Sequence, residues 1–112
     1  QFNDEVLQSS NFLIEKSLAY INGTVTEGIS KEQSLKNNVD KVEDQTRLLD
    51  LNFQKYFIEK LWKNLVNYNL ISTANYLAER YLIPIANQLN DTVLVLKLTQ
   101  FKNHWAVILA ID

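Results

Sequence analysis

His104 is the one histidine of the chain, and cysteine is absent. A lone imidazole without thiolates cannot build a histidine-rich or thiolate metal site. As a general base it would need a nucleophile and an orienting carboxylate, and no spacing in the sequence marks either. The carboxylate pairs Asp4-Glu5 and Glu43-Asp44 are sequence neighbours. On a helix such neighbours diverge by about 100°, so they do not confront one another across a substrate. Two glycines could hardly supply a phosphate-cradling loop, and neither a nucleophile elbow nor a calcium-loop pattern occurs. The expectation is a non-enzyme with no catalytic residue, metal or cofactor. Tyr76, Glu79, Arg80 and Tyr81 make a polar and aromatic patch, for which surface pairing of Glu79 with Arg80 is a sufficient explanation.

Composition narrows the partners. Hydrophobic residues are 46% and charged residues 21% of 112 positions, which suits one folded domain, residues 1–112, with its own core. Eleven basic residues against thirteen acidic ones give a formal charge of -2. The cations are scattered instead of forming the stripe a phosphate backbone requires, so nucleic acid is not expected. Without cysteine the redox compartment, and with it the localisation, stays open. Methionine is missing even at position 1, which suggests a processed product or a segment of a longer chain. Apolar runs such as Trp105 to Ile111 fall far short of the roughly 20 residues that span a bilayer. The segment from Gln54 to Ile71 interleaves aromatic residues with Lys55, Lys60 and Lys63; core packing is preferred there over binding at a membrane surface. The triplets Asn22-Gly23-Thr24 and Asn90-Asp91-Thr92 would accept glycans only in a secreted eukaryotic chain.

The elements that must position any site begin with a helix over residues 4–22, with Asn3 or Asp4 as N-cap, Leu7, Ile14, Leu18 and Ile21 on one face, and Gly23 ending it in a left-handed conformation. Ser30 and Gln33 have capping-box spacing and start a second helix. From there Leu35, Val39, Val42, Thr46, Leu49, Phe53 and Tyr56 alternate four and three residues apart, the seam of a coiled coil. Unbroken to residue 68, this helix would be about 55 Å long. It must break near Asp40 to Asp50 or project and pair, and projection is favoured because no Gly or Pro interrupts it. Asn67-Tyr68-Asn69 reads as a break, Ser72 or Thr73 as the cap of a third helix, and Pro84 as a kink in it.

Residues 92–99 and 104–112 are rich in β-branched and aliphatic side chains, and Gln100 to Asn103 can form a hairpin loop. The predicted fold class is therefore α+β and helix-dominated: three to four helices, one long with a heptad portion, then a C-terminal antiparallel β-hairpin. Both hairpin faces are apolar and its edges bare, which invites further strands.

The strand His104-Trp105, continuing through aliphatic residues to Ile111-Asp112, resembles the histidine-bearing strand of ubiquitin-like-protein-specific cysteine proteases over about nine residues. That family places a further acidic residue and a catalytic cysteine downstream, and this chain has no cysteine, so the resemblance assigns no site. In outline, long helices feeding a small sheet also resemble extracytoplasmic sensor modules of bacterial receptors, which implies a pocket near Tyr81, Trp105 and Val107. The primary expectation is a non-enzymatic protein–protein interaction or assembly domain. Its contact surfaces would be the seam residues Leu35, Val39, Val42, Leu49, Phe53 and Tyr56 and the hairpin residues Val93, Val95, Trp105 and Val107. The partner would be a second copy or another protein. A sensing domain or an enzyme fragment is the alternative.

Overall fold

The computed structural model describes the backbone of residues 4–111 and the side chains of residue 5 and residues 8–105. Its regular elements there are all helical: α1 (Asp4–Gly23), α2 (Lys31–Asp44), α3 (Leu51–Asn67), α4 (Ile71–Leu77), a π-helical turn (Ala78–Leu82), α5 (Ile83–Gln88) and α6 (Thr92–Ile111). α3 is the hub. Its Phe57, Ile58, Leu61, Trp62 and Leu65 are buried against Ile14, Leu18 and Ile21 of α1, Ala74 and Leu77 of α4, and Leu82 of the π turn. α2 packs on α1 and α4, and α6 packs on α5.

The second helix does not project. It stops at Asp44 and a new helix starts at Leu51, so the expected rod is folded into a body whose longest extent is 44 Å. Side chains make the stop without Gly or Pro. The Thr46 hydroxyl donates to the Glu43 carbonyl at 2.7 Å, and the Gln54 amide donates to the carbonyls of Leu49 at 2.6 Å and Arg47 at 3.4 Å. Asp50 then caps α3 by accepting from the amides of Asn52 and Phe53.

The C-terminal hairpin is not formed, and the α+β class is replaced by an all-helical one among the described residues: Thr92–Ile111 is one helix that runs through the expected loop at 100–103. The same residues carry two periods. Leu94, Leu98, Phe101 and Trp105 recur four, three and four apart, and the first two are buried with Phe101 half-buried behind them. Tertiary packing of that row outweighs the strand preference of Val93, Val95 and Thr99. The start is fixed locally as well: Asn90 is left-handed (φ 57°) and Asp91 Oδ1 accepts the Leu94 amide at 3.1 Å. The Asn90-Asp91-Thr92 triplet is thus a helix-start signal.

Smaller expectations divide. Ser30 caps α2 through the Gln33 amide, but the Gln33 side chain donates to Asn37 and does not return to Ser30. Gly23 ends α1 without a positive φ; the left-handed glycine is Gly28 (φ 82°). Asn69, with φ 61°, makes the expected break after α3. α4 begins two residues ahead of a Ser72 cap and three ahead of a Thr73 cap, after Leu70 and with no side-chain cap. Asn3 lies outside the described residues, as does the side chain of Leu7.

Candidate functional site

Pro84 shapes the first candidate. Lacking an N–H, it cannot bond the Arg80 carbonyl, and the helix answers with a wider turn in which the Ile83 amide donates to the Ala78 carbonyl. In an α-helix, residues five apart point about 140° away from one another; an i→i+5 turn returns them to one side. Tyr76 and Tyr81 consequently reach the same carboxylate, Asp40 of α2. Tyr76 OH donates to its two oxygens at 2.8 and 2.9 Å, and Tyr81 OH donates to Oδ1 at 2.5 Å. Arg80 Nε donates to the Tyr81 hydroxyl at 3.2 Å and lies 3.7 Å from Asp40 Oδ1.

The electrostatics follow from that geometry. Burial, then the hydrogen bond to Asp40 and its negative charge, push the Tyr76 hydroxyl up to about 12. Burial and the same carboxylate also raise Tyr81. Both phenols therefore stay protonated donors at neutral pH, and the cluster is a bolt that ties α2 to α4 and the π turn.

Beside the bolt opens a groove of about 570 Å³ lined by Lys36, Ile71, Ser72, Asn75, Tyr76, Glu79, Arg80 and Lys102. Glu79 is drawn to Lys102 across the groove at 3.0 Å, not to Arg80 as its sequence position suggested. Ser72 donates to Glu32 at 2.6 Å. That bond, with Lys36 alongside, holds the Glu32 carboxyl below its usual range.

The second candidate is an apolar face on α1. Leu13, half exposed, lines two hollows. One, of about 470 Å³, also includes Lys16, Ser17 and Tyr20 of α1 with Lys41, Val42 and Asp44 of α2 and Gln45. The other, of about 290 Å³, includes Glu5, Ser9, Ser10 and Phe53. The turn from Gln45 to Asp50 joins the α2 wall to Phe53 and carries Leu48, fully exposed, and Leu49, 45% exposed. Because Gln54, Thr46 and Asp50 fix that turn, its leucines are held outward on a defined backbone.

The predicted contact residues separate. Leu35 and Val39 are buried in the core, and Val42 is buried at the rim of the α1–α2 hollow. Leu49 is exposed; Phe53 and Tyr56 are partly exposed, with their rings tilted against each other at 6.3 Å between centroids. On α6, Val93 is 77% exposed, Val95 and Trp105 are partly covered, and the Val107 side chain lies outside the described residues. The open strand edge they were expected to share does not exist.

His104 is exposed on α6 with its ring against Trp105, and among the described residues no cluster of metal-ligating side chains occurs. No described helix is long and apolar enough to cross a membrane. Tyr81 turns toward Asp40 and Trp105 toward Phe101. The chain matches no family model, no curated protein and no solved structure. Function must therefore be read from these two surfaces. Asp40 is the residue the sequence reading missed. Its signal was indirect: two tyrosines five apart, just ahead of a proline.

Proposed function

We propose that this chain is a non-enzymatic protein–protein interaction domain that assembles with a second copy of itself through the face made by α1 and the 45–50 turn. One observation carries the reading: Leu48 stands fully in solvent on a turn that three side-chain hydrogen-bond sets hold in place, beside the Leu13 hollows. A large apolar side chain on a fixed backbone loses little freedom when covered, which favours association over exposure. Of the heptad seam, Val42, Leu49 and Phe53 lie on or beside this face, whereas Leu35 and Val39 are consumed by the core.

The rim argues for a copy of the same chain. Lys16 and Lys41 stand on the same hollow wall as Asp44, and Glu5 stands at the other hollow. A face carrying both signs around an apolar centre is self-complementary under a two-fold axis. Sedimentation equilibrium across the micromolar range tests this. A concentration-dependent mass that Leu48→Glu abolishes, with helical circular dichroism unchanged, is the expected result. A monomer at every concentration, or association indifferent to Leu48→Glu and Leu13→Glu, overturns it.

A further inference from the structure

We infer that the groove between α2, α4 and α6 binds a small organic oxyanion carrying two or more negative charges, a phosphate ester or a polycarboxylate. The inference does not depend on the assembly face, which lies on α1 and the 45–50 turn. Lys36, Arg80 and Lys102 line the groove with Glu79 as the one acid among its lining residues; each cation is now paired with a carboxylate, Glu32, Asp40 and Glu79 respectively, so an anion would enter by exchange. A volume of about 570 Å³ is the size that encloses a small molecule.

The cations are aimed before any ligand arrives. Lys36 Nζ and the Arg80 guanidinium lie 5.7 and 5.8 Å from the centre of the Tyr76 ring, and that ring is itself locked by two contacts to Asp40. Arg80 commits its Nε–H to Tyr81 and carries its remaining donors on the two Nη groups, the fork that suits a phosphate or carboxylate. The anions now nearest Lys36 and Lys102 are Glu32 at 3.5 Å and Glu79 at 3.0 Å, in pairs exposed by half or more on the acid side. Exposed pairs of this kind are weak, and a multivalent anion can exchange for them. Asn75 adds an amide to the same wall, and Ser72 a hydroxyl that now donates to Glu32. Because Lys102 comes from α6 and the others from α2, α4 and the π turn, an occupant would also tie α6 to the body.

The test is a titration of the intact chain with pyrophosphate and, separately, with citrate, followed by backbone and side-chain amide NMR and by thermal unfolding. Saturable shifts confined to Ser72, Asn75, Glu79, Arg80 and Lys102, with a rise in melting temperature, are expected. Which probe binds more tightly separates the phosphate source from the carboxylate source. Arg80→Gln and Lys102→Gln, both at exposed positions, should each weaken binding by about tenfold, and the affinity should fall with salt. Shifts that never saturate, that spread equally to lysines outside the groove such as Lys16 on α1, or that survive Arg80→Gln overturn the site.

Discussion

α2 and α6 are both held to the rest of the bundle by buried apolar side chains, but they differ in the polar groups that accompany them. α2 arrives with buried polar groups. The Asn38 amide donates to the carbonyls of Ile21 at 3.0 Å and Thr24 at 2.7 Å, the Ser34 hydroxyl accepts from the Thr26 amide, and Asp40 takes both tyrosines. α6 arrives with Leu94, Leu98 and an edge-on contact of Phe101 with Trp62 at 5.2 Å. An apolar contact is strong but indifferent to register; a directional one is weaker per group yet satisfied in a single position. The polar joint therefore sets where α2 sits, while the apolar joint supplies most of what holds α6.

That contrast can be broken from the apolar side first. Leu98→Ala, at a fully buried site, should cost about 2–5 kcal/mol in chemical denaturation. A loss below about 1 kcal/mol would mean that α6 contributes little to the folded state. Asn38→Leu keeps the volume but strands two carbonyls, so about 2 kcal/mol should go. The larger sign would be α2 amide resonances shifted throughout.

Asp40→Asn sharpens the polar side. Its cost should be about 1 kcal/mol, with a change in the alkaline limb that is easier to read. Tyr76 holds its proton up to about 12 when folded, against 10.0 ordinarily. Between those values the folded state binds the proton that the unfolded state has released, so stability is full below pH 10 and falls as pH rises toward 12. In the Asn variant that fall should be shallower, as followed by thermal melts and phenolate absorbance. The smallest effect belongs to Asp91→Ala, about 0.5–1 kcal/mol for the lost cap. Asp91 is held below its usual range by Lys55 at 2.8 Å and by the Leu94 amide. Its contribution is present above the ordinary carboxylate range and disappears as pH falls, so variant and parent should converge in acid.

How far the fold was legible varies with where its causes lie. Ser30, Asn69 and Pro84 act within a few residues, and their effects on helix ends could be read directly. The stop at Asp44 was half legible. Asp50 is an ordinary N-cap, but the turn before it depends on Gln54 reaching back five and seven residues, which no window of propensity contains. α6 was misread because Val, Leu and Thr supply both a period of two and a row at 94, 98, 101 and 105; the choice between them rests with Trp62 and the core around it. At the candidate sites, Tyr76, Arg80 and Tyr81 stood out as a patch, whereas Asp40 is 36 and 41 residues away from its two phenols and nothing local marks it. Lys36 and Lys102 were similarly invisible as a pair, since only the fold brings α2 and α6 to one groove.

The edge-on meeting of Trp62 with Phe101 has an optical use. Trp62 is buried, Lys97 lies 5.5 Å from the centre of its ring, and both neighbours belong to the terminal helix. Peeling that helix away would remove both neighbours and expose the buried indole to water together. Emission from this one fluorophore, with Trp105 replaced by phenylalanine, would thus report detachment of a single segment in real time, without any label.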